Sequence, residues 1–106
     1  MRYLNTALIL ALAALMLTVA CNAHAQSSAT VAIQGYAFQP QTVTIEKGGT
    51  VTWTNQDSVV HDVKFSDSDS PDLKKGETYT KTFDKPGTFD YVCGIHSTMK
   101  GKVIVK

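Results

Sequence analysis

Arginine is almost missing from this chain, and so is any imbalance of charge. The sequence has ten basic and nine acidic residues, and Arg2 is the one arginine. A nucleic-acid partner would call for a clear basic excess, so that class is excluded. Cysteine occurs twice, histidine and methionine three times each, and tryptophan once. Two cysteines leave little room for the disulfide framework that often holds small exported domains together. Beyond residue 25 no window shows the 3.6-residue apolar period of an amphipathic helix. Internal repeats and low-complexity tracts are also lacking.

The one long apolar run lies at the start, from about Ala7 to Ala20, in "MRYLNTALILALAALMLTVACNAHAQ". Its ~14 residues fall short of the ~20 that cross a bilayer as a helix. With Arg2 before it and Ala23-His24-Ala25 after it, the stretch has the layout of a secretory signal peptide over residues 1–25, cleaved before Gln26. A lipoprotein signal is the alternative, with Cys21 in "LTVAC" as a membrane tether. Cleavage leaves one domain, residues 26–106, with nine lysines against nine acids. An exported domain with such a leader is expected in the periplasm.

That domain reads as short strands between turn residues. Strands are expected around residues 30–33, 42–46, 50–54, 59–65, 79–83, 89–91 and 101–106. "QTVTIEKGGTVTWTN" looks like a hairpin turning at Lys47-Gly48-Gly49. Gly35 and Pro86-Gly87 are further bends, and "SDSDSPDLKKGE" is a polar loop. About seven short strands with frequent turns predict an all-β Greek-key sandwich.

After the leader, the entire supply of cysteine, histidine and methionine is Cys93, His61, His96 and Met99, three of them within "CGIHSTM". Taken singly, a buried thiol, a core methionine and a strand-end histidine are ordinary. Together, a thiolate, two imidazoles and a thioether make the donor set of a blue-copper site, trigonal His₂Cys with a weak axial Met. Zinc is the rival metal, but its sites favour several cysteines or carboxylates over a thioether. A metal would also occupy a thiol that has no partner in the chain. A thiol enzyme built on Cys93 would need a third group to orient His96, and Met99 would be unexplained.

Two separated stretches, "FQPQTVTIEKGGTVTWTNQDSVVHDVKF" and "GTFDYVCGIHSTMKGKVIVK", resemble the small blue copper proteins, the cupredoxins of the plastocyanin and amicyanin group. The spacing of Cys93, His96 and Met99 is most similar to amicyanin. The resemblance implies one copper per chain, held by His61, Cys93 and His96 with Met99 as a long axial contact. It implies one-electron transfer between Cu(II) and Cu(I) and no enzymatic reaction or small-molecule substrate. The expected partners are redox proteins, such as a cytochrome or a dehydrogenase, docking near His96 on a monomer. A copper-binding or delivery protein is the alternative.

Asp62 departs from the pattern, since Asn often follows the first histidine in this family. Either the carboxylate braces the ligand loop in another way or it faces solvent. A backbone N–H on the loop before His61 is the expected donor to the Cys93 sulfur. Ile95 and Phe38 are candidates for an apolar docking patch. The acids Asp57, Asp62, Asp67, Asp69 and Asp72, and the lysines Lys74, Lys75, Lys100 and Lys102, are read as a solvated face.

Overall fold

The computed structural model describes residues 26–106. The expected leader, its cleavage site and Cys21 lie outside the described residues. Among these residues there are six strands and no helix: β1 (Gln26–Ile33), β2 (Phe38–Gln39), β3 (Thr42–Asn55), β4 (Thr78–Thr82), β5 (Gly87–Val92) and β6 (Lys100–Val105).

Side chains alternate across β3 as its sequence dictates. Val43, Ile45, Val51, Trp53 and Asn55 point inward, while the threonines between them are exposed or half-buried. The first half of β3 runs parallel to β6, with Val43 opposite Val103 and Ile45 opposite Val105. Its second half lies between β1, parallel, and β4, antiparallel, with Trp53 opposite both Val31 and Tyr79. β5 completes the β6 edge as an antiparallel pair. One long strand therefore serves both parts of the mixed sheet, a way of turning a sandwich corner.

This arrangement replaces the expected hairpin at Lys47-Gly48-Gly49. Gly48 does turn the chain, at φ 87°. The donors at the bend go to other segments: Lys47 N–H to the Lys106 carbonyl (2.9 Å) and Gly48 N–H to the Phe83 carbonyl (2.7 Å). The two halves thus never pair with each other. The strand expected at residues 59–65 is also reduced, to isolated bridges of His61 with Leu73 and of Lys64 with Asp69 and Val92. Its donors are taken up locally, Val63 N–H by Ser70 Oγ (2.8 Å) and Phe65 N–H by the Ser68 carbonyl (2.8 Å). The remaining strand expectations and the all-β sandwich hold.

Trp53 is fully buried at the centre of the core. Its ring meets Tyr91 at 5.4 Å, Phe65 at 5.9 Å and Tyr79 at 5.9 Å between centroids. Such pairs are each worth about 0.5–1.5 kcal/mol beyond area burial. Phe38 belongs to this core as well, 3% exposed and edge-on to Tyr91 at 4.7 Å. It therefore cannot serve the docking patch considered for it. The core fixes β5, and β5 delivers the chain to Cys93.

Candidate metal centre

Cys93 follows the last residue of β5, and its side chain is fully buried. The strand end is pinned by a reciprocal pair, Lys64 N–H to the Val92 carbonyl (2.8 Å) and Val92 N–H to the Lys64 carbonyl (3.0 Å). After Cys93 the chain loops back on itself. Cys93 N–H donates to the Met99 carbonyl (3.1 Å), and Met99 N–H donates to the His96 carbonyl (2.9 Å). The "CGIHSTM" segment is thereby closed over one point, with Met99 buried, His96 half-buried and Ile95 exposed.

His61 arrives from the other side. Its backbone exchanges hydrogen bonds with Leu73, at 3.2 and 2.7 Å. The Asn55 amide props the intervening loop by donating to the Val59 (2.9 Å) and Leu73 (2.7 Å) carbonyls. The buried imidazole then points Nδ1 at Cys93 Sγ, 3.7 Å away. His96 Nδ1 lies 3.9 Å from the same sulfur. One donor atom from each of the three residues falls within 4.8 Å of the others. Residues 32 apart in sequence are thus joined in one cluster.

Two groups around the cluster adjust its donors. Asp62 N–H points at Cys93 Sγ at 3.5 Å. The donor to the sulfur is therefore the residue just after His61, not one before it. The Asp62 side chain is buried and accepts a hydrogen bond from Gly94 N–H. The carboxylate does not face solvent. It braces the ligand loop as an acceptor, the one role an ionised carboxylate can play. Its neighbour Asp69 is held above the usual carboxylate range, first by desolvation and then by a hydrogen bond to Asp62 and by its charge; Lys64 opposes this.

Asp57 is not one of the solvated acids: its carboxylate sits behind His61. Oδ2 lies 2.9 Å from His61 Nε2, and the side chain is 14% exposed. The Tyr36 N–H holds its carboxyl below the usual range, aided by the Gly35 N–H and by His61, against desolvation. Tyr36, which the sequence did not single out, is 52% exposed beside both imidazoles. The i, i+4 spacing of Asp57 and His61 was the available signal for the carboxylate. For Tyr36 only Gly35 before it marked an unusual turn.

The residues fit a soft ion. A fully buried sulfur and two inward-facing imidazole nitrogens, with a buried thioether in the same loop, form a donor set suited to copper. The comparisons with known proteins agree. The cupredoxin-like domain family matches residues 7–105, and the chain belongs to the cupredoxin family. Copper is the cofactor of this family, and the cluster that could hold it here is His61, Cys93 and His96, with Met99 buried in the same loop.

Among its relatives is amicyanin-alpha of Methylorubrum extorquens, 41% identical over 86 residues that cover 74% of this chain and 72% of the relative. Amicyanin of Paracoccus denitrificans is 33% identical, covering 77% and 68%. In structure the chain is similar to a reduced amicyanin variant, with a TM-score of 0.70, 32% identity and coverage of 74% and 82%. The purple cupredoxin of Nitrosopumilus maritimus follows at 0.69 and 30%, covering 74% and 99%.

Proposed function

We propose that this protein is a one-electron carrier with a single type 1 copper held by His61 Nδ1, Cys93 Sγ and His96 Nδ1 and completed by the Met99 thioether. The observation that carries the reading is the convergence of those three donor atoms within 4.8 Å, drawn from two distant segments. Its amicyanin and plastocyanin relatives support it.

Copper, when bound, supplies the Cu(II)/Cu(I) couple. The protein's residues do the rest. Cys93 provides the thiolate, and the Asp62 N–H aimed at it stabilises charge on the sulfur. Asp57 turns the outer nitrogen of His61 into a donor and leaves the inner one free as a ligand. The bonded loop from Cys93 to Met99 keeps the donors in place in either oxidation state. His96, half-buried beside exposed Ile95, is the edge of the site nearest a docking redox protein such as a cytochrome or a dehydrogenase. The carrier works as a periplasmic monomer after removal of residues 1–25.

The test is to add Cu(II) to the purified domain and record the visible spectrum. One copper per chain and an intense blue band are expected, with the band abolished in Cys93→Ser. Tight copper uptake by the wild-type protein without such a band would overturn the reading in favour of copper delivery.

A further inference from the structure

Tyr36 has φ 57°, the left-handed region that non-glycine residues seldom enter, and Gly35 before it has φ 63°. Such strain persists only where surrounding contacts enforce it. Here the enforcing group is a carboxylate. Gly35 N–H donates to Asp57 Oδ1 at 2.8 Å and Tyr36 N–H to Asp57 Oδ2 at 3.0 Å, so two successive amides cradle one anion. His61 Nε2 shares the same Oδ2 at 2.9 Å. Asp57 is itself fixed, its N–H donating to Asn55 Oδ1 at 2.9 Å.

The turn decides where the phenol ring goes. The Tyr36 ring stands edge-on to His61 at 5.3 Å and 89°, and edge-on to His96 at 5.0 Å and 81°. The two imidazoles are 5.0 Å apart. Three rings thus meet, each touching the other two. His61 has a hydrogen bond on its outer nitrogen. Among the described residues no such bond holds the outer nitrogen of His96, which leaves the Tyr36 ring to restrain it from the solvent side.

We propose that Asp57 is the positioning residue for both imidazoles of the site, acting on His61 by its hydrogen bond and on His96 through the left-handed turn and ring of Tyr36. The inference rests on the copper reading for its purpose but not for its geometry. One exposed loop and one carboxylate then couple the two histidines, which come from segments far apart in sequence.

The test uses NMR of the metal-free domain. The wild type is expected to show a slowly exchanging Nε2 proton on His61 and cross-relaxation between the Tyr36 ring and both imidazoles. Asp57→Ala should lose the protected proton and the Tyr36–His96 contact together. Tyr36→Phe should keep both, and Tyr36→Ala should keep the His61 proton alone. Should Asp57→Ala fail to fold, Asp57→Leu, of similar size but with no acceptor, is read for the same signals and is expected to lose the protected proton. With copper bound, Asp57→Ala and Tyr36→Ala should bind it 10–100-fold more weakly, the range for supporting residues of metal sites, and Tyr36→Phe as the wild type does. A folded Asp57 variant that keeps both NMR signals overturns the inference. A wild type that is not blue overturns the electron-carrier reading instead, and the metal-free spectra still decide this one.

Discussion

The Asp62 carboxylate accepts a hydrogen bond from Gly94 N–H, so the residue after the first imidazole ties down the loop that carries the second. A Cβ on Gly94 would lie 3.0 and 3.2 Å from the two Asp62 oxygens. The loop can approach that closely because residue 94 has no side chain. Asp62 also aims its own backbone N–H at the Cys93 sulfur. Asp62 therefore bears on the thiolate and the loop at once.

Replacing Asp62 by Asn keeps an oxygen for Gly94 and removes a charge beside the site. A negative charge favours Cu(II), so Asp62→Asn should raise the reduction potential. A unit charge within ~10 Å at an effective dielectric of ~20 is worth about 1–2 kcal/mol, on the order of 50–100 mV for one electron. The Asp69 carboxyl, relieved of a like-charged neighbour, should fall back toward its ordinary value. Voltammetry and a carboxyl titration check the two effects, and an unchanged potential would mean that the charge is fully screened.

Gly101 packs flat on the Tyr91 ring, and any Cβ there would overlap the ring atoms. Gly101 lies in β6 directly opposite Tyr91 in β5, so neither strand can move aside without breaking the pair. Gly101→Ala should cost about 1–3 kcal/mol, as overpacked cores do, seen as a lower urea midpoint. It should also disturb the blue band, because β5 and β6 flank the Cys93–Met99 loop at both ends.

Much of this was legible in the sequence because strands and soft donors leave local marks. The alternation of Val43, Ile45, Val51 and Trp53 announced β3, and the pooling of Cys93, His96 and Met99 announced the metal. The hairpin was misjudged because Lys47-Gly48-Gly49 has turn chemistry whichever strands its ends join; the bonds to Lys106 and Phe83 are tertiary. Residues 59–65 look β-rich, but Ser70 and Ser68 claim their amides. Asp57 and Asp62 were hidden for a related reason. A carboxylate reads as surface until the backbone N–H groups that receive it, at Gly35, Tyr36 and Gly94, are brought to it by folding.

Copper itself should stabilise the fold, since it would join the His61 segment to the C-terminal loop through donors that only the native state brings together. At a thousand times its dissociation constant a ligand contributes about 4 kcal/mol, and in a domain of this size that corresponds to a melting shift on the order of 15 °C or more. Chelating the metal should lower Tm by that amount in the wild type and change nothing in Cys93→Ser. Calorimetry of the two proteins with and without copper measures it.

Alkaline conditions should expose a different weakness, at Tyr91. Burial pushes its hydroxyl up to about 12. In the unfolded chain a tyrosine ionises near 10. Between those values the native state retains a proton that the unfolded state has released, so stability falls as pH rises. The contribution is whole below pH ~10 and gone above ~12, and a two-unit gap amounts to about 2–3 kcal/mol. At neutral pH the same hydroxyl lacks a hydrogen-bond partner, so deleting it should cost less than about 1 kcal/mol. Tyr91→Phe should thus unfold at nearly the wild-type urea concentration at pH 7 and at a higher one at pH 11.5. Lysines also titrate in this range, but they are common to both proteins, so the difference between the two pH profiles isolates Tyr91. Profiles that stay parallel to pH 12 would show that the Tyr91 hydroxyl ionises without leaving the core.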